Sequence, residues 1–239
     1  MEICINEKDL RVLRHFNAVA KQYDLMNTLL SFGIHHLWKR TAMKMIRLKP
    51  GDRVLDLCGG TGDLAILAQK KIAPGGKAVL YDINREMMDA GRRAKSHAEI
   101  RQDIDYVQGN AEIMAFPDES FDAAIVGFGV RNLSRMDLGF QEMYRILKPG
   151  GRMMCLEFSE PVNPVFRKLY DLYSFHIMPR LGEIITGSRQ AYTYLPESIR
   201  LFPSPDKLKA MLEHIGFSQV TYRRLTNGIA VIHIGVKDA

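Results

Sequence analysis

Cysteine is scarce in this chain. Only Cys4, Cys58 and Cys155 occur among 239 residues, far apart and odd in number. No CxxC or Cys/His metal spacing exists, which removes a disulfide scaffold and a thiolate metal site. A reduced, cytoplasmic protein without a metal is the expectation. The opening MEICINEKDL lacks the basic-then-apolar pattern of a secretory leader. No apolar run approaches the roughly 20 residues of a membrane span. A lipidic substrate would therefore be met at a membrane surface, or taken by its head group into a cleft. The net charge is +6, yet there is no arginine-rich block or basic tail, and cations alternate with acids. That pattern argues against a nucleic-acid partner and leaves loose contact with an anionic inner-membrane surface as the expectation. No phosphate-binding loop of the GxxxxGK type is present, which excludes that mode of ATP binding.

What is present fits one large α/β domain with appendages. Residues 1–48 read as a helical cap. Leu10, Leu13, Phe16, Val19 and Ala20 recur at helical spacing, and a second apolar set from Leu25 to Ile46 is broken at Gly33. From residue 49 to 239 the pattern is that of a main domain with a helical insertion at about 160–202. Short apolar strands are expected at 53–57, 77–82, 104–108, 121–128 and 152–158. Helical stretches separate them, one capped by Asn84 and one opened by a capping box at Ser134 to Asp137. A further helix runs from Ser204–Pro205 to Gly216. Strands at 218–225 and 229–236 flank Thr226–Asn227–Gly228, a hairpin signal. The fold class is α/β, a doubly wound, Rossmann-like parallel sheet that ends in an antiparallel hairpin.

The strongest local signal is Val54-Leu-Asp-Leu-Cys-Gly-Gly-Thr-Gly62. A glycine-rich turn from strand to helix lets backbone N–H groups approach a ligand closely. Asp82 ends the second strand, where an acid can accept hydrogen bonds from both hydroxyls of a ribose. Asn110 follows the third strand and could bond an adenine amino group. The glycine spacing is not that of the dinucleotide fingerprint. Asp56 and Asp63 flank the loop; they disfavour a pyrophosphate and suit the ammonium and sulfonium of S-adenosylmethionine.

These segments, with Leu147-Lys-Pro-Gly-Gly151, resemble the motifs of class I S-adenosylmethionine-dependent methyltransferases. One position departs: Cys58 stands where the first glycine of the loop usually is, which is tolerable if its φ is negative. The likeness narrows further. Tyr23-Asp-Leu-Met-Asn27 with Ser31, His35 and Trp38, then Arg145-Ile-Leu-Lys-Pro-Gly-Gly151 with Glu157-Phe-Ser159, resemble the signatures of the ubiquinone/menaquinone C-methyltransferase family. Gly127-Phe-Gly-Val-Arg-Asn132 and Tyr173-Ser-Phe-His176 also resemble family segments. The resemblance spans about residues 12 to 237.

It implies methyl transfer from S-adenosylmethionine to a ring carbon of demethylmenaquinol, of a ubiquinol precursor, or of both. It implies that Gly59, Gly60, Thr61, Gly62, Asp82, Asn110 and Ala111 hold the cofactor. Arg131 and Tyr23 are the catalytic candidates. Arg131 would stabilise a phenolate or hold a water that takes its proton, and Tyr23 and Asp24 would close over the cofactor. His176 reads as a packed core residue before it reads as catalytic, and His35 and Trp38 read as structural. The aromatic stretch from Phe166 to Leu181 is expected to wall an isoprenoid tail. A homo-oligomer is compatible with the sequence. Two rivals stay open: a cofactor-binding scaffold subunit of a quinone-synthesis assembly, and a small-molecule O- or N-methyltransferase.

Overall fold

The computed structural model describes residues 7–20, 22–94, 96–186 and 189–238, so Cys4 lies outside the described residues. Three helices open the chain: α1 (Glu7–Val19), α2 (Tyr23–Leu30) and α3 (Ile34–Met45). Gly33 separates the last two at φ 72°, a left-handed turn that a side chain would strain. The alternating region follows: β1 (Arg53–Leu57), α4 (Asp63–Ile72), β2 (Lys77–Asp82), α5 (Arg85–Arg93), α6 (Ala98–Gln102), β3 (Asp105–Gln108), β4 (Phe121–Gly127), α7 (Met136–Ile146) and β5 (Leu147–Phe158). An insertion carries α8 (Pro164–Leu172), a π turn (Tyr173–Ile177), α9 (Met178–Thr186) and α10 (Arg189–Leu201). The chain closes with α11 (Pro205–Ile215), β6 (Phe217–Leu225) and β7 (Ala230–Lys237).

The seven strands form one sheet in the order β3-β2-β1-β4-β5-β7-β6. The first five are parallel, and β7 pairs antiparallel with both β5 and β6. Strands covered on both faces should be apolar throughout, and Val54–Leu57 and Ala123–Val126 are buried without a break. Two cores result. One holds Ala42, Leu64, Ile72, Ile125 and Ile232 beneath α3 and α4, and the other holds Leu55, Leu57, Phe140, Met143 and Leu212 beneath α7 and α11. Each of these Leu, Ile, Phe and Met side chains contributes about 1.5–3 kcal/mol on burial. Sheet order reverses between β1 and β4, so loops at their carboxyl ends diverge and leave a crevice.

Three local expectations change. The N-cap position of α7 is Arg135 rather than Ser134, with no side-chain cap from Arg135, and the Asp137 carboxylate pairs with the Arg135 guanidinium at 2.8 Å. β5 starts at Leu147 rather than Arg152, because Leu147 pairs with Phe121 ahead of an irregularity in the ladder. Cys58 has φ 52°, not the negative value expected, so this loop holds a side chain in left-handed backbone.

Candidate active site

The loop after β1 shows why its glycines are needed. A Cβ on Gly59 would stand 2.6 Å from Leu80 Cγ, too close for any real contact. Gly62 caps α4 at φ 90°. The loop is tied to β2 by one carboxylate: Asp82 Oδ2 accepts from Gly60 N at 2.8 Å, and Asp82 Oδ1 from Asn84 N at 2.7 Å. A carboxylate offers about four lone-pair sites, so each oxygen keeps capacity for a further donor.

A cavity of about 460 Å³ opens at this point, a size suited to a small-molecule ligand. Tyr23, Gly59, Gly60, Thr61, Asp82, Asn110, Ala111 and Arg131 all line it. Of the candidates read from the sequence, Gly62 does not: it stands behind the loop, where its N–H donates to Gly59 O at 2.9 Å. Asn110 Oδ1 accepts from Glu112 N at 2.9 Å, an Asx turn that fixes the side chain beside Ala111.

The polar end is rich in acids. Asp56, Asp63 and Asp82 line it, and Asp24 stands next to it through its contact with Thr61. Burial drives the Asp56 carboxyl up to about 8, and its Oδ1 is buried with no hydrogen-bond partner while Oδ2 accepts from Ala65 N at 2.8 Å. Burial also raises Asp82, against the N–H groups of Asn84 and Gly60. Burial, aided by Asp63, raises Asp24. For Asp63 burial pushes upward too, but the Lys39 ammonium at 2.6 Å outweighs it and holds the carboxyl low. An under-compensated set of carboxylates repels a pyrophosphate and favours a cation. Thr61 Oγ1 donates to Asp24 Oδ1 at 2.7 Å, which joins α2 to the glycine loop.

The other end is apolar. Leu13, Phe16 and Val19 of α1 face Leu169, Tyr170, Met178 and Tyr192 of the insertion across it. Arg131, just past β4, also lines the cavity. Its Nη1 donates to Glu157 Oε1 at 2.8 Å and to Phe128 O, with both charged side chains buried. Glu157 does not line the cavity; it backs Arg131 from the end of β5. Burial raises the Glu157 carboxyl, and the Arg131 guanidinium opposes that rise.

His176 is not a core residue: it lies exposed on the π turn and outside the cavity. His35 and Trp38 are buried and also line the cavity. Three contributors had no role assigned from sequence. Asn132 lines the cavity and accepts from Tyr194 Oη at 3.1 Å, and Glu157 anchors Arg131. A lone acid inside the apolar run Met153–Phe158 was the available signal for Glu157.

Residues 4–237 match the model of the ubiE/COQ5 methyltransferase family. The chain belongs to that family. Among curated relatives, the ubiquinone/menaquinone biosynthesis C-methyltransferase UbiE of Legionella pneumophila strain Paris is 46% identical over 97% of this chain and 93% of its own. The protein of the same name from Pectobacterium atrosepticum strain SCRI 1043 is 45% identical, over 97% of this chain and 92% of its own. Solved structures agree on the fold. A SAM-dependent methyltransferase from Thermotoga maritima superposes with a TM-score of 0.66 at 19% identity, covering 94% of this chain and 99% of that one. The phosphoethanolamine N-methyltransferase 2 of Haemonchus contortus, in complex with S-adenosyl-L-methionine, does so at 0.60 and 16% identity, covering 84% and 52%. This ubiE/COQ5 family member is an S-adenosylmethionine-dependent methyltransferase. The crevice at the β1/β4 switch point, floored by glycine and rimmed by carboxylates, fits a cationic adenosyl ligand.

Proposed function

We propose that this methyltransferase acts on a ring carbon of a prenylated quinol in respiratory quinone synthesis. Demethylmenaquinol is the favoured acceptor and a ubiquinol precursor the second. The carrying observation is one cavity with two unlike ends, acid-lined at the glycine loop and apolar beneath the insertion. That is the shape required by a cationic donor meeting a greasy acceptor. The names of the relatives at 45–46% identity support the same reading.

When bound, S-adenosylmethionine supplies an electrophilic methyl group on a sulfonium. Gly59, Gly60 and Thr61 would hold it against the loop, Asp82 would accept from its sugar, and Asn110 and Ala111 would border its adenine. Gly62 would serve by shaping the loop. Asp56, raised by burial and short of a partner, would gain most from a positive charge nearby. Arg131 places a guanidinium at the cavity wall. A hydroquinone ring carbon becomes nucleophilic once a ring hydroxyl is deprotonated, and a phenol titrates near ~10. A fixed cation at the developing phenolate lowers that cost. Glu157 holds the cation in place from behind. Tyr23, on the N-terminal side of the cavity, would help to exclude water. Exclusion favours a step in which opposite charges cancel.

The test uses purified protein with labelled S-adenosylmethionine, offered each quinol in turn, and analysis of the product. A C-linked methyl is expected. A methyl on oxygen or nitrogen would overturn the assignment, and donor binding without turnover would favour a scaffold subunit. Asp82→Ala should chiefly weaken donor binding in calorimetry, whereas Arg131→Ala should chiefly slow turnover.

A further inference from the structure

Tyr170, Tyr173, Tyr192 and Tyr194 of the insertion all line the cavity. A hydroxyl set in an apolar wall needs a partner, because an unpaired one is costly to bury. Tyr173 Oη donates to Leu30 O at 2.9 Å, and Tyr192 bonds the Thr186 side chain. Those bonds fasten one helical segment to another. Tyr194 reaches elsewhere. Its Oη donates to Asn132 Oδ1 at 3.1 Å, from α10 to the short turn Val130–Asn132 that follows β4. Asn132 is the neighbour of Arg131 in the chain, and both line the cavity.

The backbone of that turn is already fixed. Arg131 N donates to Glu157 Oε2 at 3.3 Å, Asn132 N to Gly129 O at 3.0 Å and Leu133 N to Val130 O at 3.1 Å. What these bonds leave open is the sense of the Asn132 amide. An amide carries an oxygen that accepts and an NH2 that donates. With Oδ1 held by Tyr194, the NH2 is the group turned to a ligand. Tyr194 is held in its turn. Its ring packs against His15 of α1, with centroids 5.3 Å apart and planes at 56°. Burial pushes the Tyr194 phenol up, and the Arg131 guanidinium only partly opposes this, so the hydroxyl keeps the proton it donates.

We propose that Tyr194 is a positioning residue for the acceptor: it holds the Asn132 amide so that the NH2 donates to a ring oxygen of the quinol beside Arg131. The inference rests on the proposed function and deepens it, because it gives the insertion a part in the reaction. A ring oxygen gathers negative charge as its hydroxyl gives way to a phenolate. A donor fixed in place beforehand strengthens as that charge grows. An amide free to turn would present its oxygen half the time and repel the same charge. Arg131 thus brings charge to the acceptor, and Asn132, set by Tyr194, brings direction.

Tyr194→Phe removes the hydroxyl and keeps the ring against His15. In the full-length protein its thermal midpoint and its affinity for S-adenosylmethionine should match wild type, while kcat on a tailless quinol falls roughly tenfold. Asn132→Leu should lower kcat about a hundredfold. Tyr194→Phe added to Asn132→Leu should lower it no further, since the hydroxyl acts through the amide. Losses that multiply in the double variant would overturn the proposal, as would a Tyr194→Phe enzyme with wild-type kcat. A second measurement needs no acceptor. In protein labelled with 15N at asparagine, the side-chain amide signals of Asn132, assigned by their loss in Asn132→Leu, should move in Tyr194→Phe. Signals that stay in place would show that the hydroxyl does not hold the amide. A wild type that methylates neither quinol would sink the proposed function, and the amide signals would still decide whether Tyr194 sets Asn132.

Discussion

Arg131 and Glu157 face each other across 2.8 Å with side chains only 6% and 2% exposed, one at the cavity wall and the other behind it. Breaking a buried pair on one side costs about 3–5 kcal/mol, because the remaining charge is left uncompensated. Glu157→Gln should therefore lower the unfolding free energy by that order, and should reduce kcat far more than donor affinity. Arg131→Met/Glu157→Gln should recover much of the stability in urea unfolding and none of the turnover. Recovery of both would show that the pair serves folding alone.

Asp56 titrates at about 8, raised by burial from an ordinary 3.8. The sign follows from the raised value. The stability tied to its protonated form is complete below the unfolded pKa and declines as pH rises through about 8. Wild type should lose more stability between pH 6 and 9 than Asp56→Asn does. A cation taken up nearby favours the ionised carboxylate, so donor binding should release a proton near neutrality. Calorimetry in buffers of different ionisation enthalpy measures that proton, and Asp56→Asn should diminish it.

His233 shows the opposite sign. Burial holds it down at about 4, and its Nε2 lies 3.0 Å from Pro205 O, paired through a ring N–H. Its contribution is present above the unfolded pKa of 6.5 and is lost as pH falls through about 4. His35 is lowered to about 4 as well, again by burial first. Acid unfolding should steepen over that window. His233→Gln should flatten it by an amount on the order of 3 kcal/mol. An unchanged acid limb in denaturant titrations would refute the assignment.

Cys58 at φ 52° carries a side chain in backbone that costs an L-residue about 1–2 kcal/mol. Glycine removes that strain but loses more chain entropy on folding, about 0.5–1 kcal/mol. Cys58→Gly should shift stability by less than about 1 kcal/mol and preserve donor binding. Cys58→Val, β-branched in the same conformation, should cost more and loosen the cradle. Thermal melts with and without the donor separate the two.

Much of this was legible from local chemistry. β2 ends where its sequence says it should, at Lys77 and Asp82, because a Pro-Gly-Gly turn precedes it and Asn84 caps the helix after it. The cradle residues were readable because strand, glycine turn and helix are adjacent in sequence. What escaped depends on partners far along the chain. Leu147 joins β5 because Phe121 pairs with it. The role of Glu157 rests on Arg131, twenty-six positions earlier. The conformation of Cys58 could not be read from residue type, since Gly129 packs so close that a Cβ there would stand 2.4 Å from Cys58 Cβ. Nor could the outward turn of His176, which depends on an extra residue in the helical winding.

The Thr61 hydroxyl and the Asp24 carboxylate, 2.7 Å apart, form a latch between the floor of the crevice and its roof. A bond of that kind nets about 1–3 kcal/mol. Thermal motion can undo it without disturbing a single rung of the sheet. Its loss would free α2 from the glycine loop beside the proposed donor site, while the tie from that loop to Asp82 stays in place.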